Sequence, residues 1–443
     1  MKKYLSYILI ITSLLISCSP DIDLESGEQP EHIPAGAYEE DCKWIYAQMN
    51  HDYYWRKDMP DSLSCDYGTD PVTFYKSLLS EKDRFSYCEN NQSYTGITES
   101  ANYGFEYQNY SIGEMSFSQV LYVWDENVKK KGINRGDIFK FIDDKTISRG
   151  TISEGEFLPS DTILLSYNPL GNSNSVYLDS IYCISDKRVG YLCYLEFDDI
   201  KELEPVLKRF FENHVDELVL DLRYNPGGYV STCKFLTNSI VSEDAYGKVF
   251  QYCTYNDVLT MELFNETGMD KSVSYYLTPN NGIVPLGNDL FGLNLKRVFV
   301  LTSRYSASAS EAAIICLKPF MDVIIIGEQT YGKGVGSWTI RDNRFKYQIQ
   351  PITMRYHNAN MESTPDDGIP VDYLVEDGYS TSKKDLGDTS EPLLMKALDI
   401  ISNNVVQTRS IDNKSIVSNG NIVRQGAPSF FNIKIKDNEK NPE

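Results

Sequence analysis

From residue 187 to about residue 400, short apolar strands alternate with amphipathic helices along the chain. The predicted strands cover residues 189–197, 217–222, 297–302 and 322–327, and the predicted helices cover residues 200–214, 230–240 and 310–317. Such an alternation forms a sheet whose two faces are covered by the helices, because each apolar strand must be buried on both sides. The pattern therefore predicts an α/β core, and the irregular segment 250–295 within it predicts an insertion or a lid.

The chain before this core has two regions with different periodicities. Residues 37–95 carry apolar and aromatic side chains at helical spacing, and Asp70 followed by Pro71 is a typical helix start. Residues 100–185 instead contain several short strand-like segments separated by turns. We therefore expect an N-terminal helical domain, a small β domain and the α/β core in that order. Residues 401–443 form a C-terminal segment to which the pattern assigns no structure.

The first residues have the pattern of an export signal. A basic start is followed by a mostly apolar stretch over residues 5–16, and a small residue, Ser17, precedes Cys18. Residues 1–17 are therefore predicted to be removed, and residues 18–36 are predicted to form a flexible tether. The order Leu-Ile-Ser-Cys resembles the lipobox of bacterial lipoproteins, which implies lipidation at Cys18, membrane attachment and a place in the cell envelope, on either face of the outer membrane. An ordinary signal peptide and a short anchor helix are the alternatives.

Charge and composition exclude several classes of function. Lys and Arg number 42 against 63 Asp and Glu, and the net charge of −21 repels phosphate backbones, so we expect no nucleic-acid partner. The four histidines do not occur at metal-ligand spacing, so we expect neither a metal site nor a histidine-based triad. The cysteines form no Cys-x-x-Cys motif; some could pair after export, but those in apolar runs, such as Cys193 and Cys316, are predicted to be buried free thiols.

Two turns at the ends of predicted strands carry residue types suited to acyl transfer. Residues 221–228 end in Gly227 and Gly228, which allow backbone N–H groups to approach a ligand beside a helix start. Residues 302–311 place Ser308 before a helix, where backbone donors and the helix dipole favour negative charge. Taken singly, the first turn is an ordinary strand-to-helix connection, and the Ser-Ala-Ser-Glu that begins at residue 308 is a capping box.

A third segment, residues 327–334, contains most of the Gly-x-x-x-x-Gly-Lys pattern of a phosphate-binding loop. We reject that interpretation because Gly334 stands where the magnesium-binding Ser or Thr belongs, and because the following residues predict a strand rather than a helix. The lysine between the two glycines, Lys333, can instead be desolvated; its pKa then falls, and the neutral amine can accept a proton from a serine. By itself, a surface turn is the simpler interpretation of Gly-Lys-Gly.

In this order and at these spacings, the three segments resemble those of the C-terminal processing (tail-specific) peptidase family. The family's Asp-Leu-Arg-x-Asn-x-Gly-Gly turn appears at residues 221–228, its Ser-Ala-Ser-Ala-Ser-Glu segment at residues 306–311, and its Gly-Lys-Gly at residues 332–334. Residues 368–372 resemble a later Gly-Ile-x-Pro-Asp segment of the family, and residues 132–147 resemble the Gly-Leu-x-x-Gly-Asp core of PDZ domains. The helical region, with Asp-Arg-Phe-Ser-Tyr at residues 83–87, is similar to that of lipoprotein members from gut Bacteroidetes.

The resemblance implies a fold and a kind of substrate. Residues 100–185 would form a PDZ-like domain, and residues 187–400 would form a protease core of the ClpP/crotonase-like type. Such a domain holds a peptide by adding it to a sheet edge as a further strand. The implied substrates are exported proteins or peptides with unstructured C-terminal tails, cleaved by a serine endopeptidase that needs no metal and no organic cofactor.

The resemblance also assigns roles to individual residues and exposes one departure. It implies that Ser308 is the nucleophile and Lys333 the general base, and that the oxyanion is held by backbone N–H groups of Ala309 and of Gly227 or Gly228. Many members carry a lysine-orienting glutamine four residues after the lysine, where this chain has Ser337. Serine is shorter and has no amide NH₂ to donate. The alternative is therefore a catalytically weak or inactive peptide-binding lipoprotein of the same fold.

Overall fold

The structure, a computed structural model, describes residues 36–90, 103–166, 174–267, 273–276, 291–403, 422–428 and 431. Among these residues, no helix has the length and apolar character needed to cross a membrane. The predicted signal peptide and the predicted lipidation site, Cys18, lie outside the described residues.

The described residues form eight α-helices and nineteen strands. The α-helices are α1 (Glu39–Asp52), α2 (Pro71–Ser77), α3 (Glu126–Lys130), α4 (Ile200–Glu212), α5 (Val230–Ile240), α6 (Asp257–Thr267), α7 (Ala309–Leu317) and α8 (Pro392–Asn403). The strands are β1 (Tyr87–Asn90), β2 (Phe105–Ile112), β3 (Met115–Val123), β4 (Ile138–Asp143), β5 (Thr146–Ser153), β6 (Glu156–Leu164), β7 (Val176–Ile184), β8 (Lys187–Tyr194), β9 (Glu217–Asp221), β10 (Val249–Tyr255), β11 (Val273–Tyr276), β12 (Arg297–Thr302), β13 (Asp322–Gly327), β14 (Val335–Ser337), β15 (Ile340–Arg341), β16 (Tyr347–Gln350), β17 (Ile352–His357), β18 (Tyr373–Leu374) and β19 (Ile422–Gln425).

A mostly parallel sheet forms the centre of the α/β core. Its strand order is β18-β13-β12-β9-β8-β7, and within it only β7 runs antiparallel to its neighbour. The prediction of an α/β core is confirmed, and β12, β13 and α5 begin and end where their apolar patterns predict. Strands buried on both faces require such continuous apolar runs, which is why the sequence pattern is easy to read here.

The core sheet is covered on both faces. Helices α4, α5 and α7 bury one face together with the inward side chains of β8, β9 and β12. Helix α8 covers the other face, together with side chains of β3. The amphipathic α4 buries Leu203, Leu207 and Phe210, the stripe that its helical period predicts. The strands that carry the candidate site are therefore held rigidly from two sides.

A second six-stranded sheet is antiparallel and has the order β19-β2-β3-β4-β5-β6. Strands β2 to β6 lie in the region 100–185 that predicts a small β domain. Strand β7 lies in the same range, but it pairs with β8 in the core sheet. The predicted boundary at residue 185 is therefore wrong for β7, because the alternating pattern of a strand does not say which sheet it joins. The outer strand β19 comes from the C-terminal segment.

The N-terminal region contains more than helices. Helices α1 and α2 pack around a small core that includes Trp44, Ile45 and Phe74. Asp70 caps α2 by accepting a hydrogen bond from the Thr73 N–H at 3.0 Å, as the sequence predicts. Strand β1 then pairs with β16 in a three-stranded sheet of order β1-β16-β15, which joins the N-terminal region to the C-terminal half of the core.

The segment predicted to be an insertion contributes to a fourth sheet. In its described part, β10 and β11 pair with each other, and the sheet has the order β11-β10-β17-β14. Helix α6 follows β10. The described cysteines are all free thiols, and Cys193 and Cys316 are buried, as predicted.

Candidate active site

The three segments singled out in the sequence follow neighbouring strands of the core sheet. Residues 221–228 follow β9, residues 302–308 follow β12, and residues 327–334 follow β13. Since β9, β12 and β13 are adjacent and parallel, their carboxyl ends lie at one edge of the sheet. This edge is where open α/β sheets generally bind ligands. The structure therefore brings together segments that are distant in sequence.

Ser308 stands at the entrance to α7. It is the N-cap residue, its backbone has φ 54° and ψ −113°, and its side chain is almost buried, with 9% exposed. A positive φ is unfavourable for a residue with a Cβ and persists only where the surrounding structure imposes it. The position at the helix N-terminus places free N–H groups and the positive end of the helix dipole beside its hydroxyl.

Lys333 is buried rather than part of a surface turn, with 6% of its surface exposed. Its side-chain nitrogen, Nζ, lies 5.3 Å from the centre of the Phe85 ring. The residues before it are held to the Ser308 turn by the Tyr331 N–H, which donates to the Ser306 carbonyl at 3.0 Å. The following residues enter a strand, β14, as predicted when the phosphate-loop interpretation was rejected.

Glu311, on the first turn of α7, links the two segments directly. Its fully buried carboxylate accepts hydrogen bonds from the backbone N–H groups of Ser308 at 3.0 Å and Lys333 at 2.7 Å, both on Oε2. The other oxygen accepts the Gly332 N–H at 2.7 Å and the Thr330 hydroxyl at 2.6 Å. The backbones of the two candidate catalytic residues are thus linked by two hydrogen bonds to one oxygen atom.

The pKa of the Glu311 carboxyl is raised above its ordinary value because burial disfavours the charged form. The hydrogen bonds from Thr330 and from the backbone act in the opposite direction, since they stabilise the carboxylate. The sequence predicts Glu311 as half of a capping box with Ser308. The hydrogen bonds that Glu311 accepts from the lysine segment, residues 327–334, are not part of the capping pattern.

The glycine turn lies against Ser308. A Cβ on Gly227 would stand 2.7 Å from the Ser308 Cβ, and a Cβ on Gly228 would stand 2.2 Å from the Phe197 carbonyl oxygen, so neither position has room for a side chain. The Gly227 N–H donates to Asn225 Oδ1 at 2.9 Å. Among the described residues, the N–H groups of Gly228 and Ala309 donate to no acceptor. These two groups can therefore donate to a ligand.

The rest of the glycine turn is fixed from behind. Arg223 is fully buried, donates to Asp221 at 2.9 Å and reaches both oxygens of Glu391 at 2.6 and 2.9 Å. The Asn225 amide nitrogen donates to the Tyr194 carbonyl at 3.0 Å. These bonds explain why the turn needs Asp, Arg and Asn at their positions: each supplies a buried hydrogen bond that holds the backbone of the glycines in place.

Ser337 lies on β14 and is hydrogen-bonded to a neighbouring side chain. Its hydroxyl accepts a hydrogen bond from the Gln350 amide nitrogen at 3.0 Å, and Gln350 is itself buried, with 2% exposed. An amide is therefore present next to Ser337, but it comes from β16. Sequence spacing could not reveal this pair, because it depends on how β14 and β16 are placed in two different sheets.

The N-terminal region also reaches the lysine segment, through two residues that the sequence analysis does not assign to the site. Arg84 donates to the carbonyl oxygens of Gly332 at 3.1 Å and Asp366 at 2.7 Å. Phe85 lies between Lys333 and Tyr331, whose ring centre is 6.0 Å from its own. Both residues belong to the Asp-Arg-Phe-Ser-Tyr segment, so the resemblance already drew attention to them without giving them a role.

Comparison with protein families gave two matches. The model described as "Peptidase family S41" matches residues 188–375, which contain β8 to β18 and all three segments of the site. The model described as "Peptidase S41 N-terminal domain" matches residues 42–87, which contain most of α1, all of α2 and the Arg84–Phe85 pair. The two matches belong to the same family and occur in the order expected from the sequence.

Comparison with solved structures gave several neighbours, and the first of them supports the fold. A protein of Bacteroides fragilis assigned to the S41 proteases has 24% sequence identity to this chain and a TM-score of 0.65, covering 82% of this chain and 97% of its own. The photosystem II D1 C-terminal processing protease has 16% identity and a TM-score of 0.49, covering 78% and 95%. A Parabacteroides merdae protein assigned to the peptidases has 13% identity and a TM-score of 0.40, covering 83% and 97%.

Proposed function

Since the chain belongs to peptidase family S41 and is a serine-type peptidase, we propose that it is an endopeptidase with a Ser308–Lys333 dyad that cleaves near the unstructured C-terminal tails of exported proteins. The observation that carries this proposal is the Glu311 carboxylate, which accepts the backbone N–H of both residues. A buried carboxylate that binds both backbones fixes the relative position of the two residues, as is required if a proton is to pass between their side chains.

The proposed reaction has two stages. The neutral amine of Lys333 takes the hydroxyl proton of Ser308 while Oγ attacks the scissile carbonyl carbon, and the ammonium then gives that proton to the leaving amine. The C–N bond breaks and an acyl ester with Ser308 remains. In the second stage, Lys333 takes a proton from water while the water oxygen attacks the ester carbon. The bond between that carbon and Oγ then breaks, Lys333 returns the proton to Oγ, and the new C-terminal carboxyl group leaves. Burial of both side chains keeps bulk water from competing in the first stage.

The oxyanion would be bound by the backbone N–H groups of Ala309 and Gly228. Both donors lack an acceptor among the described residues, and the neighbouring Gly227 N–H is already bonded to Asn225. Gly227 therefore contributes space rather than a donor, since any side chain there would collide with Ser308. Two backbone donors fixed in advance stabilise the developing negative oxygen without reorganisation.

Substrate recognition is assigned to the small β domain. We propose that it is PDZ-like and takes the tail of a substrate as an added strand. Lipidation at Cys18 would hold the enzyme at the outer membrane, where exported proteins are accessible. No nucleic acid, metal or organic cofactor takes part in the proposed reaction.

A catalytically weak peptide-binding lipoprotein is the second candidate, and the observation that favours it is Ser337. A serine in place of glutamine removes one amide from the strand that follows Lys333. The nearby Gln350 amide, which donates to the Ser337 hydroxyl, argues against this candidate because it supplies a polar partner at the same place.

A fluorophosphonate probe tests the proposal. We expect covalent labelling of Ser308 in the parent protein, none in Ser308→Ala, and strongly reduced labelling in Lys333→Ala. Proteomics of a Ser308→Ala strain against its parent should then show uncut C-termini of exported proteins. Absence of labelling in a folded parent protein at every pH between 6 and about 10 would overturn the dyad and support the peptide-binding candidate.

A further inference from the structure

The edge of the small β domain is occupied by the chain's own C-terminal segment. Strand β19 lies antiparallel beside β2, with Ile422 opposite Ile112 and Gln425 opposite Asn109. A sheet edge presents unpaired N–H and C=O groups and accepts any extended strand of suitable length. An added peptide at a sheet edge is bound mainly through its backbone, while pockets under alternate side chains give selectivity.

One such pocket lies beneath Arg424. Its guanidinium donates to both carboxylate oxygens of Glu328 at 2.9 Å, and the two side chains are only 13% and 12% exposed. Burial alone would lower the pKa of Arg424, but the Glu328 carboxylate outweighs it and the pKa is raised. The neighbouring side chain, Val423, points outward and is 57% exposed. The alternation of a strand therefore places one basic side chain against Glu328, which also pairs with Arg304 at 3.6 Å, and leaves its neighbour in solvent.

The same segment continues toward the catalytic residues. The Gln108 amide nitrogen donates to the carbonyl oxygens of Gln425 at 3.0 Å and Gly426 at 3.2 Å. Further along, the Phe431 ring packs against Tyr305 and Tyr331, with ring centres 5.3 and 4.6 Å apart. Tyr305 precedes Ser308 in the same turn and Tyr331 precedes Lys333, while Glu328 begins the lysine segment. The described residues of this segment therefore contact both the sheet edge and the two loops that carry the dyad.

We propose that the β2 edge and the Glu328 pocket form a docking site for extended peptides with a basic residue at the position of Arg424 and an aromatic residue toward the catalytic loops. Residues 422–428 and 431 occupy this site in the free chain and compete with a substrate tail for it. This inference rests on the proposed function in treating the competing peptide as a substrate. Binding of a peptide at the docking site requires no catalysis. A substrate must displace β19, so the occupied edge limits the rate at low substrate concentration.

The test uses the full chain with Ser308→Ala, so that no peptide is cleaved, and a fluorescein-labelled peptide of the sequence of residues 422–431. Arg424→Glu places two carboxylates together and should release β19, whereas the matched control Val423→Ala changes an exposed side chain of the same strand. We expect fluorescence anisotropy to give about tenfold tighter peptide binding by the Arg424→Glu chain, because the apparent affinity rises with the fraction of open sites. A peptide with glutamate at the Arg424 position should lose this gain.

Hydrogen exchange and turnover give independent readouts. In Arg424→Glu, the amides of β19 should exchange faster, and with Ser308 restored kcat/KM for a short peptide should rise while kcat stays the same. If Arg424→Glu binds the peptide no more tightly than Val423→Ala, or if it lowers Tm and turnover together, β19 is a structural brace and the inference is wrong. A binding gain in a protein that never reacts with the fluorophosphonate would leave the docking site intact and remove only the proposed function.

Discussion

At the scale of single residues, Glu311 organises the candidate site more than either reacting side chain does. A serine hydroxyl and a lysine amine can exchange a proton only when they are held in the correct relative position, and each is on a different loop. The carboxylate of Glu311 binds the backbone of both loops in the interior of the protein. An error of about 1 Å in such a geometry costs about 10²-fold in rate.

Glu311→Gln should therefore lower kcat by about 10²-fold with little change in KM. The amide keeps the size of the side chain, but its NH₂ group cannot accept the backbone N–H groups that the replaced oxygen binds. Steady-state kinetics, the rate of fluorophosphonate labelling and Tm should be measured together, with the exposed Glu81→Gln as control. Normal labelling with a lowered Tm would mean that Glu311 serves stability alone.

Lys333 should be required in its neutral form. Lys333→Ala is expected to abolish activity as completely as Ser308→Ala, since members of one catalytic unit are not additive. Lys333→Arg should not restore it, because a guanidinium stays charged. In the parent protein, turnover should rise with pH as the amine loses its proton. Near-normal turnover in the Lys333→Arg variant would falsify the dyad.

At the scale of elements, α5 carries a buried lysine directly behind the glycine turn. Lys234 is fully buried, and burial lowers its pKa from 10.5 to about 8. The unfolded chain keeps the proton up to its ordinary pKa, whereas the folded chain releases it earlier. Between these two pH values, the unfolded state binds more protons, so the free energy of unfolding must increase as pH rises.

We expect this rise in the free energy of unfolding between about pH 8 and pH 10.5 to disappear in Lys234→Met. Methionine has a similar length, carries no charge and needs no hydration when buried. Urea unfolding at several pH values measures the slope, and Lys208→Met, an exposed lysine on α4, is the matched control. An unchanged slope in Lys234→Met would assign the pH dependence to another group.

At the scale of the whole molecule, a buried set of charges joins the small β domain to the core. Arg135, from the turn between α3 and β4, donates to Asp377 at 3.0 Å and to the Tyr224 hydroxyl at 2.7 Å. Asp377 also contacts Lys383 at 2.8 Å. Burial alone would raise the pKa of Asp377, but Lys383, Arg135 and Arg223 outweigh it and hold the pKa well below its ordinary range.

Arg135→Ala should lower the free energy of unfolding by about 3–5 kcal/mol, because it leaves Asp377 buried with one partner fewer. Since the pKa of Asp377 is lowered by folding, its contribution is present above the ordinary value of 3.8 and is lost as pH falls below it. The difference between variant and parent in urea unfolding should therefore shrink below about pH 4. Arg344→Ala, at a site 79% exposed, is the control. Equal stability of variant and parent at pH 7 would show that the two domains do not depend on this contact.

The same contacts limit what a domain deletion can show. Removing residues 100–185 would take away β7 from the core sheet as well as Arg135 from Asp377. Loss of activity in such a protein would therefore report damage to the core rather than loss of recognition. Recognition is tested more cleanly by substitutions on β19, which leave β7 in the core sheet and Arg135 beside Asp377.

The local features of this protein could be predicted from its sequence. Strand β12, strand β13 and helix α5 could be predicted from the pattern of apolar residues, because burial on one or both faces determines which neighbouring residues are apolar. The three glycine-, serine- and lysine-bearing segments were also recognisable, since turns at strand ends require particular residue types at fixed offsets. That the three segments meet at one edge depends in addition on β9, β12 and β13 being adjacent and parallel in the sheet, which a local pattern does not give.

The contacts between distant groups, by contrast, depend on the tertiary structure. It placed β7 in the core sheet and β19 on the β2 edge, and it brought Phe85 to Lys333 and the Gln350 amide to Ser337. It also showed that the Gly227 N–H is already bonded, which leaves that of Gly228. The physical reason is that each of these contacts joins segments far apart in the chain. Such contacts depend on sheet order and packing, for which a local pattern of apolar and polar residues contains no information.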